Sequence, residues 1–299
     1  MTENKRDTWL IPLCIFIVYI VWGTTYLGNA WGVKVIPPFM FSGIRFLMAG
    51  SILLLISSFF SPIKITWNQF KNLAFAGLLL FGIGNGLVTW ALQYVDSGIT
   101  ALVISLEPLV VAFMLWGYKK QKPQINTWIG IGLGIFGMAL LVGQPKFVSS
   151  WEWMVGFSFI FIAMLAWGYI SIWIASADLP ESVFQSASVQ MILGGLMLLA
   201  SSFGMQEVQN FDWSTLTARA IGSWIYLMIF GSILAFSAFN YLLLKVSPTR
   251  VVASSYVHPV IAMFLGWWLN KEGISTQSIL AAGILLIGVV FINRDKSHA

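Results

Sequence analysis

Apolar residues run along this chain in long, nearly unbroken stretches. Leu10 to Tyr26 and Ile279 to Ile292 are typical. A helix needs about 20 mostly apolar residues to cross a bilayer. By that ruler the spans fall at approximately 9–30, 37–60, 70–94, 97–118, 125–143, 151–176, 182–204, 218–244, 250–270 and 275–293. The runs are continuous and lack the period of two that marks a transmembrane barrel, so helices are predicted. The connecting loops are short, and the longest, Met205 to Thr217, is too small to be a soluble domain. Any activity is therefore expected within the membrane or at its rim.

Composition points the same way. Of the 299 residues 58% are hydrophobic and 9% charged, whereas about a quarter of a soluble domain is charged. The net charge of +5 does not imply a nucleic-acid partner, because the basic residues sit at helix ends and form no stripe. Lys5, Arg6, Lys64, Lys71, Lys119, Lys120, Lys122, Lys245, Arg250, Arg294 and Lys296 fall on the side of the termini. Lys34, Lys146, Arg219 and Lys271 fall on the other. This bias predicts that both termini are cytoplasmic and that the protein spans the cytoplasmic membrane many times. Lys5 and Arg6 precede the first run as in a signal peptide, but no convincing cleavage site follows, so the segment is read as a retained helix. The lone cysteine, Cys14, offers neither an intramolecular disulfide nor a metal site. No metal or cofactor is expected.

The two halves of the chain repeat one another. Trp22-Gly23 in the first span matches Trp167-Gly168 in the sixth. Phe39 matches Phe184, and Leu106-Glu107-Pro108-Leu109 matches Val257-His258-Pro259-Val260. Each half ends in a glycine-bearing helix, with Gly130, Gly132 and Gly134 in one and Gly283 and Gly288 in the other. The halves are bounded at 9–143 and 151–293. Five spans is an odd number, so the second half must enter the membrane from the opposite side. The expected fold is thus all-α and integral to the membrane, with ten transmembrane helices as two inverted five-helix repeats. Inverted repeats recur in secondary transporters, whose solute sites lie near the midplane between the repeats.

Taken together, the Trp-Gly pair of the first helix, Pro37-Pro38 with Arg45 in the second, and the two matching halves resemble the EamA-type branch of the drug/metabolite transporter superfamily. The resemblance spans essentially the whole chain. It implies a ten-helix, alternating-access carrier of amino acids or similar metabolites, often an exporter. A glutamate that the family tends to carry after the fourth helix of each half is matched by Glu272. The first half instead reads Gly117-Tyr118-Lys119-Lys120, so the position is not carried over there.

Polar residues at depth are the candidates for chemistry, because a charge at mid-bilayer is costly and normally faces the bundle interior or a cavity. Glu107 lies about 15 Å along its span at 1.5 Å per residue, and Pro108 is expected to kink the helix there. His258, with Pro259, is its counterpart and suits proton coupling. Arg45 can fork onto a carboxylate or pair with Glu107, and the ion pair is the preferred reading. The hydrogen-bonding residues Thr24, Thr25, Asn85, Gln93, Ser105, Asn240 and Tyr256 are the further candidates for a cavity lining, Thr25, Asn85 and Tyr256 foremost, with Trp22, Trp90, Trp167 and Tyr169 to wall it. The expected partners are a small solute, the lipid bilayer, and protons or a counter-solute.

Other functions fare less well. No Walker-type phosphate loop is present. An intramembrane enzyme would need a second histidine at depth or an acid near His258, and His298 lies in the terminal tail. A channel or structural subunit remains the alternative, without a ring of charge to mark it.

Overall fold

The structure is a computed structural model that describes residues 5–95, 100, 103–120, 122–142, 151–270 and 276–294. All regular structure among them is helical. The first half holds α1 (Lys5–Val33), α2 (Pro38–Phe60), α3 (Trp67–Ala91), α4 (Glu107–Lys119) and α5 (Ile125–Val142). The second holds α6 (Trp151–Ile174), α7 (Val183–Gly204), α8 (Ala218–Lys245), α9 (His258–Asn270) and α10 (Thr276–Arg294). Helices α1, α2, α3, α6, α7 and α8 are long and apolar enough to cross a membrane, and α4, α5 and α10 contain shorter apolar stretches. Glu272 lies outside the described residues.

The helix starts follow local chemistry. Pro38 opens α2, where its missing N–H costs nothing and its fixed φ suits the first turn. Thr66 and Gln69 close a reciprocal capping box on α3, each bond 3.2 Å long. Ser182 and Thr217 accept from the backbone N–H three residues on, at the heads of α7 and α8. Large apolar side chains such as Phe59, Phe60, Phe136 and Leu280 are exposed. That is natural for surfaces whose solvent is lipid.

The fourth and ninth spans depart from expectation. Pro108 and Pro259 do not kink continuous helices; each lies in the first turn of a helix that begins one residue earlier, at Glu107 and His258. Before His258 the chain forms a short helix, Pro248–Val252, and a 3-10 turn, Ala253–Tyr256. A proline pushes the preceding residue away from helical geometry and cannot donate back to the previous turn. The helix therefore restarts one residue before the proline, at Glu107 in one half and at His258 in the other.

Packing repeats across the halves. α1 lies against α8 and α9, and α6 lies against α3 and α4, so the first helix of each half packs on the third and fourth helices of the other. α2 crosses α7, and α5 crosses α10. The α5–α10 crossing needs glycine: a Cβ on Gly288 would stand 2.9 Å from the Gly130 carbonyl oxygen, and one on Gly130 would stand 2.7 Å from that of Gly288. Both third helices contain a π-helical segment, Leu78–Asn85 in α3 and Leu227–Leu234 in α8. Such segments are rare and often mark functional positions.

Candidate functional site

A cavity of about 1030 Å³, including its mouth, lies between the two halves. Its walls come from α1, α2, α3 and α4 of the first half and from α6, α8 and α9 of the second. Among the described residues α5, α7 and α10 supply none of its lining. On α1 the lining runs from Trp22 to Asn29, in the half of the helix towards Val33. Towards Lys5, α1 is tied down instead. Asp7 accepts from Tyr241 at 2.7 Å and pairs with Lys245 at 2.9 Å, and the Tyr19 hydroxyl donates to the Arg250 carbonyl at 3.1 Å.

Of the residues singled out in the sequence, Trp22, Thr25, Arg45, Asn85, Glu107, Trp167 and His258 all line this cavity. Trp90, Tyr169 and Tyr256 do not. Trp90 packs on Tyr94 and Phe159. Tyr169 is exposed and lines a separate apolar groove with Tyr118 and Trp173. Tyr256 is fully buried against Gly134, where a Cβ would overlap its ring. Among the lining residues that escaped the sequence reading are Tyr26, Asn29 and Thr89. Each stands four residues after a residue that was chosen, Trp22, Thr25 and Asn85. The helical repeat would have placed them on the same face.

Arg45 organises one wall. It is 4% exposed, and its fork spans two helices, with Nη1 donating to Asn29 Oδ1 at 3.0 Å and Nη2 to Asn85 Oδ1 at 3.1 Å. Asn29 in turn donates to the Thr25 carbonyl, and Thr89 donates to the Asn85 carbonyl and receives Ser42. The guanidinium carbon also stands 4.2 Å from the Phe46 ring centre, within cation–π reach. Arg45 Nε has no partner among the described residues. The preferred Arg45–Glu107 ion pair is not formed. Two amide oxygens lie nearer the guanidinium and satisfy its fork without a second buried charge.

Two further lining residues are under-satisfied. Glu107 is 8% exposed, and its Oε1 has no hydrogen-bond partner among the described residues. His258 is 5% exposed, with both ring nitrogens in the same condition and the Tyr26 ring 5.9 Å away. Unpaired polar groups this deep are costly unless water or a ligand completes them. Trp22, Trp167 and Phe239, also in the lining, meet edge to face or tilted, with ring centres 5.0 to 5.5 Å apart. The cavity lining thus brings together a guanidinium, a carboxyl, an imidazole and an aromatic cluster.

A helical membrane protein with a polar cavity at the meeting of two repeated halves belongs, as a class, with the membrane transporters. The chain matches the EamA-like transporter family over residues 9–143 and again over 154–294, and it belongs to that family. It is 35% identical over 292 residues to the inner membrane transporter YedA of Escherichia coli strain K12, covering 96% of this chain and 92% of YedA. It is 25% identical over 286 residues to the transporter YoaV of Bacillus subtilis strain 168, covering 95% and 96%. A solved crystal structure of 16% identity superposes with a TM-score of 0.75 over 96% of this chain and 99% of its own, a likeness of fold alone. The chain is accordingly an integral membrane transporter built of two EamA repeats.

Proposed function

We propose that this transporter is a secondary carrier that moves an amino acid or similar small metabolite across the cytoplasmic membrane by alternating access. In this reading ten helices span the membrane as two inverted repeats, and both termini are cytoplasmic. The α1 lining then lies in the outer half of that helix, and export is among the directions open to the carrier. The observation that carries the reading is a guanidinium and a carboxyl that line one cavity and are not paired with each other. Arg45 is positioned for a carboxylate by two asparagines, and Glu107 is unpaired among the described residues. A solute with a carboxylate, an ammonium group and an apolar body would satisfy both poles and lie on the aromatic cluster.

Reconstitution in proteoliposomes tests this. Flux of labelled amino acids should saturate and should be accelerated by unlabelled solute on the opposite side. A linear, unsaturable flux would indicate a channel and end the carrier reading. Proton coupling through Glu107 and His258 is part of the same proposal. Glu107→Gln and His258→Ala should each weaken the dependence of transport on a pH gradient, and the coupling is wrong if both retain it in full.

A further inference from the structure

The two tryptophans that begin the halves are treated differently by the fold. Trp22 and Trp167 are repeat counterparts. So are Gly82 and Gly231, each the fifth residue of its π-helical segment, in Leu78-Leu79-Leu80-Phe81-Gly82 and Leu227-Met228-Ile229-Phe230-Gly231. Trp22 Nε1 donates to the Gly231 carbonyl at 3.1 Å, tying α1 to α8. The matching bond would run from Trp167 Nε1 to the Gly82 carbonyl, tying α6 to α3. It is not made. The Trp167 indole nitrogen faces Gly84, where a Cβ would overlap it, and has no hydrogen-bond partner among the described residues. Helix α1 is therefore latched across the repeat boundary and α6 is not, although each packs on its counterpart helix. Towards Lys5 the same face of the latched helix is packed, since Cys14, Val18 and Trp22 follow one another at intervals of four and the first two are buried.

We infer that Trp22 and Trp167 exchange this hydrogen bond between the two states of the carrier. In the state of this structure Trp22 holds Gly231 and keeps the Lys5 end of α1 closed. In the oppositely opened state Trp167 donates to the Gly82 carbonyl and Trp22 releases Gly231. The inference rests on the inverted-repeat reading, in which each half takes the other's conformation when access reverses. It makes both tryptophans positioning residues of the transport cycle as well as walls of the cavity.

The sole cysteine is a built-in reporter, because Cys14 is buried at the closed end. The full-length protein in proteoliposomes is treated with N-ethylmaleimide, and the rate of Cys14 alkylation is followed. A Trp→Phe substitution keeps an aromatic ring and deletes the N–H donor together with part of the ring contact; that packing loss falls on both variants alike, so the opposite signs isolate the bond. Trp22→Phe should accelerate alkylation about five-fold, the equilibrium equivalent of one net hydrogen bond. Trp167→Phe should slow it by a similar factor, because it destabilises the other state. Shifts of the same sign in both variants, or none in either, would overturn the exchange, and general destabilisation would speed both. Failure of the underlying reading has a separate signature. If wild-type Cys14 reactivity ignores amino acids added to either side while those amino acids are transported, alternating access itself is wrong.

Discussion

Arg45→Lys is the most informative single change in the cavity, because it keeps the charge and removes the fork. The guanidinium bonds Asn29 on α1 and Asn85 on α3 at once, from α2. An ammonium at the end of a different stem cannot hold both oxygens in that planar geometry. At least one charge-assisted hydrogen bond is lost, worth about 1.5–3 kcal/mol, and one amide oxygen is left without its donor. With a loss of about 2 kcal/mol, the half-saturating concentration of a carboxylate-bearing solute should rise roughly thirty-fold. The apparent melting temperature of the detergent-solubilised protein should fall by several degrees. Proteoliposome flux and a thermal-shift series read the two effects. A double-mutant cycle with Asn85→Ala separates the fork from general damage, since residues in one network are non-additive. Additive losses in that cycle, or an Arg45→Lys protein with unchanged flux and melting, would refute the network as the organiser of this wall.

Three other changes test the frame around the site. Glu207 reaches across the repeat boundary to accept from Met40 N–H at 2.9 Å and from the Ser202 hydroxyl at 2.9 Å, capping the head of α2. Glu207→Ala should therefore cost about 1–2 kcal/mol of stability in thermal unfolding, and an unchanged melting curve would show the cap to be idle. Gly288→Leu should force α5 and α10 apart at the Gly130 carbonyl. Loss of monodisperse protein on size exclusion is expected, and wild-type behaviour would contradict the close crossing. Asp7→Asn removes a solvent-screened ion pair with Lys245, so stability should fall by less than about 1 kcal/mol. Cys14 should nevertheless alkylate faster as the Lys5 end loosens, and an unchanged rate would remove Asp7 from the closure.

What the sequence disclosed and what it hid divide on one physical point. Lipid-facing helices are apolar on every face, so the runs and the repeat were plain, but the rotation of each helix about its axis was not. Among apolar neighbours an aromatic side chain carries no mark of the face it occupies. Trp22 and Trp167 reached the cavity while Trp90 and Tyr169, equally deep in the sequence, did not. Charged and ionisable residues are better guides because burial forces them inward: Arg45, Glu107 and His258 all reached the cavity, whereas of the uncharged hydrogen-bonding candidates Thr25 and Asn85 did and Thr24, Gln93, Ser105, Asn240 and Tyr256 did not. The prolines were read for their position but not for their effect, since a proline at the first turn starts a helix as readily as one in the interior bends it. The partner of Arg45 was misread for a related reason. Opposite charge suggested Glu107, yet a buried guanidinium is held as well by aligned amide dipoles, and Asn29 and Asn85 lay within reach. That substitution matters for the proposed carrier. An Arg45–Glu107 pair would have sealed the cavity with its own charges. Neutral partners for Arg45 leave the carboxyl of Glu107 available to a solute or a proton.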